Sequence, residues 1–127
     1  MTKRLFLALL ACIGLIALAV PATAQEPSPE LRARGDEVIA MLRGGGNPAE
    51  MFTPEFLAQI PDAQVRTVVR QIIGQYGEVR RLAGIDAQTP TAGILHVEHE
   101  RATLHIYIVI QPQPPHLISG LLVTGAD

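Results

Sequence analysis

"LHVEHERATLHIYIVI", Leu95 to Ile110, decides the fold of this 127-residue chain. Apolar and polar residues alternate on either side of Glu100-Arg101, the pattern of two half-buried strands around a tight turn. A two-residue turn there pairs Leu95 with Ile106, His96 with His105, Val97 with Leu104, Glu98 with Thr103 and His99 with Ala102. Neither turn residue suits the left-handed backbone of a primed hairpin turn, so the register rests on the hydrophobic pattern. Strand side chains alternate faces. Leu95, Val97, Leu104, Ile106, Ile108 and Ile110 therefore point one way, and His96, Glu98, Thr103, His105 and Tyr107 the other. The apolar set must be the side that helices cover. That puts the facing pair His96 and His105 on the outer face.

Upstream, the apolar period is helical. Ser28 caps a helix with Pro29 at its first position. Leu31, Val38 and Leu42, with Met41 beside them, form its stripe, and Gly44 to Gly46 stop it. Asn47-Pro48 and Thr53-Pro54 are two more cap-plus-proline starts, which predict two short helical turns with Met51, Phe52, Phe56, Leu57 and Ile60 facing inward. Pro61-Asp62 opens the most regular helix. Val65, Val68, Val69, Ile72, Ile73 and Tyr76 recur at helical spacing, Arg66, Arg70 and Gln71 lie opposite, and Gly77 ends it. Beyond it, "EVRRLAGIDAQ" (78–88) and "HLISGLLVT" (116–124) flank the hairpin as further strands. Three helical segments packed on one face of a curved four-stranded antiparallel sheet make an α+β domain.

The first residues bear on location. Lys3 and Arg4 precede an apolar run, Leu5 to Val20, and Ala22-Thr23-Ala24 has small-x-small cleavage character before Gln25. This predicts a signal peptide over 1–24, a single domain over 25–127, and a periplasmic or secreted product. Cys12 leaves with that segment, so disulfides and thiol chemistry are excluded from the mature chain. Lys3 and Arg4 leave too, which sets eight arginines against twelve acidic residues. An acidic surface without a basic stripe argues against nucleic acid as a partner.

Chemistry-bearing residues are sparse. His96 and His105, with Glu98 nearby, are the candidate metal ligands. Zinc takes three or four ligands, and a solvated sheet face accounts for the same residues, so no cofactor is expected. Asp86 is the one acid that could turn inward as a base, with Tyr76 at the rim of the apolar stripe as its companion. Alternation with Ile85 and Ala87 leaves the side of Asp86 open. Arg66 and Arg70, one turn apart, suit a carboxylate clamp or a solvated helix face. Ser119 has no evident base, and the 44–46 glycine run lacks the lysine of a phosphate loop.

Helices followed by an antiparallel sheet in about a hundred residues resemble the nuclear-transport-factor-2-like (cystatin-like, steroid-isomerase-like) superfamily. More narrowly, "FTPEFLAQIP" (52–61), "QYGEV" (75–79), "ERATLHIYI" (100–108) and "HLISGLLV" (116–123) are similar to the N-terminal domain that precedes the catalytic domain of class-A-β-lactamase-like serine hydrolases. Those stretches are structural. The hydrolase's Ser-x-x-Lys motif is not in this sequence, so the likeness implies an accessory domain and a serine hydrolase or other periplasmic protein as partner. It predicts an exposed apolar patch around Ile118, Leu122 or Phe52. A cone for a small apolar ligand is the alternative, lined by Phe52, Phe56, Val69, Ile73, Leu95 and Ile106 and larger than roughly 300 Å³. A steroid-isomerase-like cavity enzyme on Asp86 and Tyr76 is a third reading. The outer sheet face, with Tyr107 and Val109, is the candidate surface for a homodimer.

Overall fold

A computed structural model describes residues 26–127; the expected signal segment 1–24 lies outside the described residues. Four helices, α1 (Pro29–Leu42), α2 (Pro48–Met51), α3 (Pro54–Gln59) and α4 (Asp62–Tyr76), precede four strands, β1 (Val79–Thr89), β2 (Ala92–His99), β3 (Thr103–Ile110) and β4 (Ile118–Ala126). The strands form one antiparallel sheet in the order β1-β2-β3-β4. The architecture is α+β, as the change of period predicts, with four helices in place of the three helical segments expected, because each of the two cap-plus-proline starts opens a helix of its own.

The caps are those the sequence signals. Ser28 Oγ accepts from Leu31 N at 3.1 Å, Asn47 Oδ1 from Ala49 N at 3.1 Å, and Thr53 Oγ1 from Phe56 N at 3.1 Å. Each satisfies a helix N–H that has no intrahelical partner, and each is followed by a proline that has no N–H to satisfy.

α1 lies on β1, β2 and β3. Its inward face holds Leu31, Gly35, Val38, Ile39, Met41 and Leu42, all buried. Gly35 lets the helix come close: a side chain there would put its Cβ 3.2 Å from both Ile85 Cδ1 and Leu95 Cδ2. Beneath α1, the hairpin has the register the pattern predicts, with Leu95↔Ile106, His96↔His105, Val97↔Leu104 and Glu98↔Thr103. Leu95, Val97, Leu104, Ile106, Ile108 and Ile110 are buried on the helix side.

The turn at Glu100-Arg101 has a tertiary support that turn chemistry does not reveal. Glu100 N donates to Glu78 O at 3.0 Å and Arg101 N to Tyr76 O at 2.9 Å. Glu100 Oε1 accepts from Glu78 N at 2.9 Å. The turn is thereby docked on the end of α4, where Gly77 has φ 87° and a Cβ would sit 2.7 Å from Glu100 Cβ.

α2 and α3 close one corner of the core. Phe52 and Met51 are buried, Phe52 stacks on Phe56 with ring centroids 4.3 Å apart, and Thr53 N donates to Ile118 O at 2.9 Å. Phe52 and Ile118, at 1% and 0% exposure, belong to this core and not to a surface patch. The expectation that either would be exposed fails because the Phe52–Ile118 bridge covers the start of β4.

Candidate functional site

α4 has the most regular apolar periodicity in the chain, yet Val65 is its only buried residue. Val69, Ile72, Ile73 and Tyr76 are half-buried against the core, and Val68 is 40% exposed. α1 already occupies the middle of the sheet, so α4 packs mainly on α1 and α2 and stands over the flank. An open cleft of about 210 Å³ remains between α4 and strands β3 and β4. Every residue lining it is apolar; Phe56, Val69, Ile106, Leu121 and Val123 are among them. Leu122, at 63% exposure, and Val123, at 41%, stand at its mouth. The expected apolar patch is therefore present at Leu122.

The expected cone for a small ligand is only partly assembled. Phe52, Phe56, Val69 and Ile106 line the cleft, but Leu95 is fully buried under α1. Ile73 faces a second groove, of about 550 Å³, between α4, the end of α1 and the start of β1. That groove is larger, but its rim carries Arg43, Arg70 and Glu78, so it is not an apolar cone. The all-apolar cleft falls below the roughly 300 Å³ typical of ligand pockets.

The two edges of the sheet differ in chemistry. β1 carries Arg80, Arg81 and Asp86, and its pairing with β2 is interrupted by three register shifts. Charge and bulges are the usual protections of a free edge. β4, "ISGLLVTGA", has no charged residue and no proline. Its pairing has two register shifts of its own, with an unbroken run from Gly120 to Val123 between them, so charge is what distinguishes the two edges. Phe52-Thr53 covers the outer edge of β4 only at Ile118, and among the described residues no other segment bonds to that edge. The uncharged edge and the apolar cleft adjoin at Leu121–Val123.

The remaining candidates do not converge on the cleft. Asp86 is exposed, between half-buried Ile85 and buried Ala87; strand alternation turns it to solvent, which corrects the reading of an inward base. Tyr76 is half-buried, 6.2 Å from the ring of His99, on the other side of the sheet from Asp86. Arg66 pairs with Asp62 at 3.0 Å and Arg70 reaches Thr67 at 3.3 Å, so both serve the solvated face of α4.

His96 and His105 do meet on the outer face, with Nδ1 atoms 2.8 Å apart. His105 Nε2 lies 2.8 Å from Asp127 Oδ2. Glu98 is held by Arg81 at 2.7 Å instead, so it does not join them as a third ligand. Among the described residues, no group of three His, Cys, Asp or Glu is arranged to hold a metal.

His99 was missed as a structural residue. It is 5% exposed, its Nδ1–H donates to Gly77 O at 2.9 Å, and its Nε2 is buried without a partner. The signal was available, because His99 shares its strand parity with Leu95 and Val97.

Comparison with protein-family models, with curated proteins and with solved structures finds no match for this chain. The functional reading therefore rests on the geometry above.

Proposed function

We propose that the chain is a non-catalytic interaction domain that receives an extended segment of a partner protein along β4, with the partner's apolar side chains entering the cleft beside α4. The observation that carries this is the coincidence of an uncharged free edge with exposed Leu122 and Val123. A strand added there gains main-chain hydrogen bonds from the edge and hydrophobic burial from the cleft. The cleft offers no acid, base or nucleophile, which suits binding rather than catalysis.

The order of helices and antiparallel strands supports the nuclear-transport-factor-2-like reading. The likeness to the domain that precedes β-lactamase-like hydrolases supports a serine hydrolase or other periplasmic protein as partner. Lys3-Arg4, the apolar run and Ala22-Thr23-Ala24 support export. The apolar lining of the cleft favours a second reading, a small apolar ligand, and its volume counts against it.

A photo-crosslinking residue at Leu122, compared with one at Arg80 on the protected edge, tests the proposal in the cells that make the protein. A discrete adduct with a different protein from Leu122, absent from Arg80 and lost when Leu121→Pro removes an N–H that faces the free edge, is expected. Adducts from both edges alike, a homodimer adduct, or none would overturn it.

A further inference from the structure

The pairing across the outer face places four residues in one row: Gly84, His96, His105 and Gly125. A Cβ at Gly84 or Gly125 would meet nothing within 4 Å. The two imidazoles are thus flanked on both sides by side-chain-free strand, and the pair is open to solutes.

His96 and His105 also occupy the closer kind of cross-strand site. His99 N donates to Ala102 O at 2.8 Å beside the turn, so 99/102 is a hydrogen-bonded pair. Pair types alternate along an antiparallel ladder, which makes 96/105 a non-hydrogen-bonded pair, with side chains nearest each other.

The hydrogen bonds then set the tautomers. An ionised carboxylate can only accept, so His105 Nε2–H donates to Asp127 Oδ2. In the neutral ring, Nδ1 of His105 carries a lone pair, and His96 Nδ1–H donates to it at 2.8 Å. A carboxylate behind one imidazole nitrogen, with the other nitrogen free to coordinate, is the outer arrangement that orients metal-binding histidines.

We propose that His96 and His105 form a two-imidazole site for a divalent transition-metal ion, with Cu(II) the favoured one. The ion takes the place of the hydrogen bond between the two Nδ1 atoms: His96 gives up its Nδ1 proton to solvent and takes one up at Nε2, so both rings stay neutral with no net proton released, and the rings swivel to aim both lone pairs at the metal. Water completes the coordination from the open row. With metal–nitrogen bonds of about 2.0–2.1 Å, neighbouring sites of a tetragonal ion hold nitrogens about 2.9 Å apart, and a tetrahedral ion about 3.3 Å. The observed 2.8 Å is the length of the Nδ1–H···Nδ1 hydrogen bond, and the rings part slightly from it to reach either spacing. Cu(II) heads the affinity order for such ligands. Asp127 adds a negative charge beside the site. Arg81 is neutralised by Glu98 one row away.

Cu(II) titration of the protein near neutral pH, read by calorimetry and electron paramagnetic resonance, tests this. The expected result is one ion per chain, with an axial spectrum split by two imidazole nitrogens. His96→Asn or His105→Asn should lose one nitrogen and weaken binding by more than the ~10–100-fold cost of losing an outer partner, while Asp127→Asn should keep both nitrogens and weaken it by roughly tenfold. His116→Asn, whose ring is engaged with Gln111 O at 3.0 Å, should change nothing. No uptake by the wild-type protein overturns the proposal. So does tighter binding of Zn(II) than Cu(II), or an unchanged spectrum and affinity in the His96 and His105 variants. The wild-type spectrum decides the matter even where a variant folds poorly.

Discussion

The guanidinium of Arg101, in the turn of the β2–β3 hairpin, donates to the carbonyl of Gly74, in the last turn of α4, at 3.1 Å. The backbone N–H of the same residue bonds Tyr76 O at 2.9 Å. A helix end carries unsatisfied carbonyls and the negative end of the helix dipole. A cation from another element therefore caps α4 in place of a residue of its own, since its last turn holds none. Arg101→Ala should lower stability by about 1 kcal/mol, the scale of a net hydrogen bond plus a terminal charge. Urea unfolding measures this, and amide exchange at Gly77 should speed up in the variant, because Gly77 N bonds Ile73 O in that last turn.

Gly35 brings α1 down on β1 and β2. Gly35→Val should cost about 1–3 kcal/mol, because extra methyl groups would be forced into a filled site. The Cβ alone already reaches 3.2 Å from Ile85 and Leu95. The chemical-denaturation midpoint checks it. A stability equal to wild type would mean that α1 does not seat at this depth.

Leu104 and Leu122 are both sheet leucines with opposite expectations. Leu104 is 0% exposed and Leu122 is 63% exposed. Leu104→Ala should cost about 2–5 kcal/mol, the lost transfer term plus a cavity. Leu122→Ala should stay within about 0.5 kcal/mol while weakening the adduct formed from a photo-crosslinking residue placed at Val123 on the same edge. Paired melts and crosslinking yields measure the two effects separately.

Asp86 is exposed on the protected edge. Asp86→Asn should leave stability within about 0.5 kcal/mol of wild type, with no change in crosslinking at Leu122. A large loss in either measurement would restore a role for this carboxylate.

Much of the fold is legible from spacing. The hairpin register follows from the parity of Leu95, Val97, Leu104 and Ile106, because a slip of one residue would turn every apolar side chain to solvent. Three helix starts follow from Ser28, Asn47 and Thr53, whose side chains bond the backbone within three residues and need no tertiary partner. The burial of α4 was not legible. Val68 fits the same stripe as Val65, and periodicity shows which side of a helix is apolar without showing how much of that side a neighbour covers. Asp86 was undecided for a related reason. Bulges in β1 shift the pairing, so its alternation alone did not assign a face.

The sequence by itself determined the local bonds and the two-sidedness of each element, since caps, turns and apolar stripes are set by residues within a few positions of one another. Only the tertiary structure decided what lay across the gaps. It placed Arg101 on the end of α4, left α4 standing off the flank because α1 fills the middle of the sheet, made the uncharged β4 an edge strand, and put Asp127 behind His105. Those relations join residues distant along the chain, and their energies depend on burial and approach distance, which exist only once the layers have packed.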